Sequence, residues 1–216
     1  MAKEKGNNFF KQAWLVLVLA MFYGAALAGV HLNFSPIIEE NKINETRQQI
    51  PELIFGPAGD KQDSASRESL QSERLRITVG GNGRQKAYRV FQATRDNKVL
   101  GWVAKATGQG YADEIQLLIG LSPRAGKITG LFVLDQKETP GLGAKIVEPD
   151  WRAQFAGQTT DSKLKVVKDG ADERHEVDAI TGATVSSQVV CNIVNKTVAD
   201  LKPELTEQAG QGDKTE

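Results

Sequence analysis

The stretch DAITGATVSSQVV, Asp178 to Val190, joins two kinds of sequence in one short span. Its first half is small and turn-forming, with Gly182 and Ala183 between two threonines, Thr181 and Thr184. Its second half begins a helical pattern: Val185, Val189 and Ile193, and beside them Val190, Val194, Val198 and Leu201, recur at three- and four-residue spacing. Such a stripe predicts a helix with one apolar face that has to be buried against another element. Pro203 lacks a backbone donor and is expected to end that helix, leaving the polar tail 204–216 disordered.

The element that this helix covers is expected upstream. KAYRVFQA from Lys86, VLGWVAKA from Val99, EIQLLIGL from Glu114 and KITGLFVL from Lys127 are rich in β-branched, aliphatic and aromatic residues. They are bounded by turn formers at Asp96-Asn97, Gly108 to Gly110 and Pro123 to Gly126. Short connections favour hairpins over crossovers, so the fold class predicted is α+β, a mostly antiparallel sheet packed by helices. EPDWRAQFAG from Glu148 predicts a short helix with Asp150 as N-cap, and LKVVKD from Leu164 a further short strand. GPAGDKQDSASRESLQ, from Gly56 to Gln71, has no apolar period and reads as a linker or exposed loop.

At the front, AWLVLVLAMFYGAALAGV runs from Ala13 to Val30 without a charge. As a helix it spans roughly 27 Å, close to the hydrocarbon thickness of a bilayer. Lys3, Lys5 and Lys11 precede it and a mixed-charge segment follows, so the N-terminus is expected in the cytoplasm and the rest outside. A cleaved signal peptide is the alternative, with Ala26-Leu27-Ala28 resembling a cleavage site. The run exceeds the ~7–15 residues of a signal h-region and leads into helix-compatible PIIEENKINETRQQI, which favours a retained anchor. The expected organisation is 1–34 for the N-terminus and transmembrane helix, 35–85 for a helical stalk and linker, 86–203 for the folded domain and 204–216 for the tail.

Composition narrows the chemistry. Lys plus Arg and Asp plus Glu both number 27 in 216 residues, so nothing draws the chain toward nucleic acid. His31 and His175 are far apart and Cys191 is the one cysteine. No disulfide framework, metal-ligand set or iron–sulfur set is expected, and no catalytic set of its own. Redox chemistry in such a chain has to come from an organic cofactor. Cys191 falls near the apolar stripe and is expected to be a buried small hydrophobe, while His175 reads as a surface residue.

Within the opening stretch, Thr184 stands immediately before the predicted helix, where unpaired N–H groups and the helix dipole favour a phosphate. Gly182 permits a sharp turn and close approach to the backbone, and Ala183 adds little bulk. The same position suits a plain N-cap on Thr181 or Thr184, and local physics leaves both readings open. A threonine hydroxyl is a poor nucleophile unless activated, so a covalent bond there would need a separate enzyme, with Asp178 as a recognition or metal-positioning group in that step.

DAITGAT resembles the flavinylation motif D-x-x-[S/T]-G-A-[T/S] of the FMN-binding domain family. QKETPGLGAKI, Gln136 to Ile146, is similar to that family's ETPGLG loop, in which Pro140-Gly141 calls for a tight turn and Gly143 for close packing. GQGYADEIQLLIG, from Gly108, resembles a G-Y-x-x-x-I segment that precedes the loop. With a single N-terminal membrane segment, the layout looks most like the G-type subunit of the Rnf (Rsx) ion-translocating oxidoreductases. The C-type subunit of the sodium-translocating NADH:quinone reductases shares it. A third alternative is an anchored non-redox binding module in which Thr184 is only a helix cap.

The resemblance implies FMN held covalently by a phosphoester to Thr184, with Asp178, Thr181, Gly182, Ala183, Glu138, Thr139, Gly141, Leu142 and Gly143 forming the cofactor site. It implies a flavin transferase during maturation and the other membrane and peripheral Rnf subunits as partners. It further implies an extracytoplasmic domain on a single-pass protein of the bacterial inner membrane, a one-electron relay within a complex that passes electrons between ferredoxin and NAD and couples that exchange to ion movement. Trp151 and Tyr111 are aromatic neighbours of these loops, with core packing the expectation for both.

Overall fold

Alternation of apolar and polar side chains assigns each strand residue to one face of a sheet. Five such strands follow one another here. The structure, a computed structural model, describes residues 6–56, 69–81, 84–96, 98–168, 170–171 and 174–212. The elements are α1 (Gly6–Phe55), β1 (Gln71–Gly81), β2 (Arg84–Arg95), β3 (Lys98–Gln109), β4 (Glu114–Leu121) and β5 (Ile128–Asp135). A 3-10 turn (Gly143–Val147), α2 (Pro149–Ala153), β6 (Lys165–Val167), β7 (Glu176–Asp178) and α3 (Thr184–Gly212) follow. Strands β1 to β5 form an antiparallel meander in chain order, and β6 pairs in parallel with β7. The class is the α+β arrangement expected.

The chain divides into two units, Met1–Glu45 and Thr46–Glu216. In the first, Ala13–Phe34 is a 22-residue helical segment of mean hydropathy 2.1, with none of its most apolar window buried inside the protein. At 1.5 Å per residue it is ~33 Å long, enough to cross a bilayer once.

In the second unit the sheet is covered on both faces. One face presents Trp102, Ala104, Leu117 and Ile119 to the stripe of α3, where Val190, Val194, Val198 and Leu201 are buried as their spacing predicts. The other presents Phe91, Val103, Leu118 and Leu134 to Ile50 and Leu53 at the end of α1. Gly120 makes that approach possible, since a Cβ there would stand 2.6 Å from the Leu53 carbonyl oxygen. A partly buried clamp ties β2 to α3. Lys86 donates to the Tyr88 hydroxyl at 2.6 Å, and that hydroxyl donates to Asp200. Burial first, then the Asp200 bond, raises the Tyr88 pKa far above its usual value.

Four expectations are corrected. Strand β1 lies at the end of the 35–85 stretch expected as stalk and linker, so the sheet starts at Gln71 rather than near Lys86. Leu75, Ile77 and Val79 alternate with Arg74, Arg76 and Thr78, a strand period hidden by the polar residues before it. Residues 57–68 of the expected linker lie outside those described. Helix α3 does not stop at Pro203 but continues to Gly212, so most of the expected disordered tail is helical. Proline removes one helical bond, yet the next turn is held by fully buried Leu205 and by Thr206, whose hydroxyl donates to the Lys202 carbonyl at 2.7 Å and the Arg124 carbonyl at 3.2 Å. Residues 213–216 lie outside those described. Asp150 is not an N-cap: Glu148 holds that position, without a side-chain cap, and Pro149 opens α2. His175 is not a plain surface residue, being partly buried with φ 71° and Nε2 3.2 Å from Asp161 Oδ1.

Cys191 is fully buried, and desolvation pushes its thiol up to about 12. A raised folded value means the thiol's contribution to stability is whole below the unfolded pKa of ~8.5 and is lost as pH climbs toward the folded one. Cys191 in the native chain is therefore expected to resist iodoacetamide at pH 8 and to be alkylated fully once denatured, as mass spectrometry would show.

Candidate functional site

Three segments far apart in sequence meet around one carboxylate. Glu138, 4% exposed, follows β5; its Oε1 accepts the Ala112 N–H at 3.1 Å and its Oε2 accepts the Ser186 hydroxyl at 2.6 Å. The backbone N–H of Glu138 donates to Gln136 Oε1 at 2.6 Å. The β3–β4 turn, the TPGLG loop and the first turn of α3 are thereby pinned to one another. Space for this contact is made by glycine. A Cβ at Gly143 would stand 2.7 Å from Ser186 Oγ and 2.9 Å from Glu138 Cβ, and one at Gly110 would collide with Glu138 Oε1.

The TPGLG loop is shaped by its own backbone. The Thr139 carbonyl accepts from Leu142 N–H at 3.2 Å and Ala144 N–H at 3.1 Å, with Gly141 at φ 74°. Thr139 and Gly141 are exposed. Leu142 leans toward the motif turn, where a Cβ at Gly182 would lie 3.0 Å from its Cδ2. That turn is closed by Ala183 N–H donating to the Ile180 carbonyl at 2.8 Å, with Gly182 at φ 80°, a left-handed value that favours glycine.

Thr184 is the first residue of α3, and Ala183 occupies the N-cap position, its carbonyl accepting from Ser187 N–H at 3.1 Å. The expectation that Thr184 precedes the helix is thus off by one residue. Alanine has no oxygen with which to cap, and the Ser187 hydroxyl instead accepts from Ile180 N–H at 3.0 Å and donates to the Ala183 carbonyl at 3.2 Å. Thr184 is exposed, and its hydroxyl has no hydrogen-bond partner among the described residues. Thr181 is exposed too. An uncapped helix start with a free hydroxyl in its first turn suits a phosphate group.

Asp178 ends β7. Its backbone accepts Trp151 Nε1–H at 2.8 Å and donates to Gln154 Oε1 at 2.7 Å, while Oδ1 is buried without a partner among the described residues. Trp151 is 7% exposed and packs edge-on against Phe155, so it belongs to the core as expected. Tyr111 does not: it is 70% exposed beside Ala112. Tyr111, Leu142, Val147 and Val185 are the exposed large hydrophobics of the second unit among the described residues, and all lie on the segments that Glu138 joins or next to them. Exposed apolar side chains thus stand near a phosphate-friendly helix start. Ser186 and Ser187 were not legible as site residues; their one sequence signal is a pair of hydroxyls just behind Thr184.

A fold with these features defines a class, and residues 110–199 match the FMN-binding domain family. NqrC of Shewanella oneidensis superimposes with a TM-score of 0.65 at 18% identity, over 80% of this chain and 99% of that one. Along the sequence, the chain is 31% identical over 192 residues to the G-type subunit of the Na(+)-translocating ferredoxin:NAD(+) oxidoreductase complex of Acetobacterium woodii, covering 88% of this chain and 89% of the relative. It is 27% identical over 209 residues to the proton-translocating counterpart of Clostridium ljungdahlii, covering 93% and 96%. The chain belongs to the family of G-type subunits of ion-translocating oxidoreductase complexes.

Proposed function

We propose that this chain is the membrane-anchored electron-transfer subunit of an Rnf-type ion-translocating ferredoxin:NAD oxidoreductase, carrying FMN covalently as a phosphoester of Thr184. The observation that carries the reading is the free, exposed Thr184 hydroxyl in the first turn of an uncapped helix, inside DAITGAT. Thr184 holds the phosphate end, and the N-terminal dipole of α3 offsets its charge. Leu142, Val185 and Tyr111 supply apolar surface for the ring system, with Glu138 keeping their segments in register. When bound, FMN supplies the redox chemistry, and the chain supplies position and electrostatics. Asp178, at the head of the motif, serves recognition by a flavin transferase. The segment Ala13–Phe34 anchors the chain with its N-terminus in the cytoplasm and the FMN domain on the outer face of the inner membrane, where the other Rnf subunits are its partners.

The quinone reductase alternative has the fold likeness in its favour, while the relatives that span the chain are G-type subunits of ferredoxin:NAD(+) oxidoreductase complexes. A cap role for Thr184 is disfavoured by the place of Ala183 at the N-cap. The test is production of the chain with and without a flavin transferase, followed by denaturing electrophoresis. Flavin fluorescence is expected at the chain's own band only when the transferase is present; a dark band in both preparations contradicts the reading.

A further inference from the structure

Strand β7 lies beside β6 on one side, where the Ala179 N–H that follows it donates to the Val167 carbonyl at 2.7 Å. Successive strand residues point their backbone groups to opposite sides, so Asp178 turns its N–H and carbonyl the other way. There, side chains from α2 and the residue that ends it take the place of a strand. The Asp178 N–H donates to Gln154 Oε1 at 2.7 Å, and Trp151 Nε1–H donates to the Asp178 carbonyl at 2.8 Å. Residues 151 and 154 stand one helical turn apart and share a face. Their base is well held, since Trp151 and Phe155 are core residues in edge-on contact.

Completing the edge of a short strand explains such bonds in general, and Gln158 does so at the start of β7. Its Nε2–H donates to the Glu176 carbonyl at 3.3 Å, and its Oε1 accepts the His175 N–H at 2.9 Å. Gln154 differs in what it holds. Asp178 heads the motif that ends at Thr184, and the turn between them is held by the Ser187 hydroxyl, which accepts from Ile180 N–H and donates to the Ala183 carbonyl. Carboxylate and threonine are thus two points on one segment tied down at both ends. We propose that Gln154 is a positioning residue for flavin attachment: by holding Asp178 it sets where a flavin transferase meets the carboxylate relative to the Thr184 hydroxyl. This rests on the proposed roles of Thr184 and Asp178. With a flavin dinucleotide as donor, the Thr184 Oγ–P bond forms, the phosphoanhydride bond breaks, a nucleoside monophosphate leaves and the hydroxyl proton passes to water.

The test measures the initial rate of covalent flavin incorporation into the full chain by a flavin transferase, with flavin adenine dinucleotide as donor and the concentration of chain varied. Gln154→Met keeps the side-chain length and loses the acceptor, while Trp151→Phe keeps a ring against Phe155 and loses the donor. Each is expected to raise the half-saturating concentration of chain about two- to tenfold, as for one lost hydrogen bond, with the maximal rate unchanged. Gln158→Met loses bonds to β7 that do not touch Asp178 and should match the wild type in both parameters. All chains are compared well below the melting temperature of the least stable. Unchanged half-saturation in Gln154→Met and Trp151→Phe, beside a wild type that takes up flavin, overturns this proposal alone. An equal rise in Gln158→Met, or a fall in maximal rate at constant half-saturation, overturns it in favour of a purely structural role. A wild-type chain that takes up no flavin from an active transferase overturns the proposed function and this proposal with it.

Discussion

Thr184→Ala is expected to abolish covalent flavin completely while leaving the fold intact. Thr184 is exposed, and its hydroxyl has no hydrogen-bond partner among the described residues, so its removal breaks nothing in the folded chain. The cost to stability should be within about 0.5 kcal/mol, as for other surface substitutions away from packing features. Alanine is also a good helix former, so α3 should start where it does now. Flavin attachment, in contrast, needs the oxygen itself. Thr184→Ser keeps that oxygen and should retain flavin, and Thr181→Ala, which leaves the Thr184 oxygen in place, should retain covalent flavin at least in part. Loss of flavin in the Thr181 variant with retention in the Thr184 variant would reverse the assignment of the two hydroxyls.

Glu138→Ala is expected to give the largest loss of stability of any single substitution at the site, about 2–4 kcal/mol. The carboxylate accepts two hydrogen bonds from two other segments, and one of the donors, the Ser186 hydroxyl, is buried. Bonds to a charged group contribute about 1.5–3 kcal/mol each, and a buried donor left alone adds its desolvation cost. For a unit of this size each kcal/mol corresponds to roughly 2–4 °C, so the melting temperature should fall by about 5–15 °C. Glu138→Gln should lose much less, since the amide oxygen still accepts from Ala112 and the amide N–H can donate to Ser186 Oγ with the hydroxyl turned. Gly143→Ala should resemble Glu138→Ala, because its Cβ would press on Ser186 Oγ and Glu138 together. The two changes in one chain should cost less than their sum, as expected where both disrupt one contact. Thermal unfolding of the four variants checks all of this, and equal melting of Glu138→Ala and wild type would refute the role given to the carboxylate.

Much of the fold was legible because it is written in periods. The α3 stripe from Val185 to Leu201 and the runs from Lys86, Val99, Glu114 and Lys127 appear where their spacing puts them. What escaped depends on contacts between distant residues. Leu205 and Thr206 hold the helix past Pro203 against a surface that no local pattern reveals. β1 alternates as clearly as its neighbours, but its polar face is arginine and it follows a long polar stretch, so composition outweighed period. β7 spans only Glu176–Asp178, too short for any alternation to register. At the site, the motif residues were visible as a family pattern, and the physical reason for two of their glycines was not. Gly143 and Gly110 are small because Glu138 passes between them to Ser186, a convergence of three segments that exists only in the folded chain. The cap reading of Thr184 turned on one residue of helix boundary, which sequence patterns do not resolve.

The central claim is that Thr184 is the point of flavin attachment, and the most direct measurement is the mass of the intact chain made with a flavin transferase, followed by fragmentation. One added mass, that of FMN less water, is predicted on the fragment that contains Thr184 and on no other. An unmodified chain in the presence of an active transferase, or the same increment carried by Thr181, would contradict it.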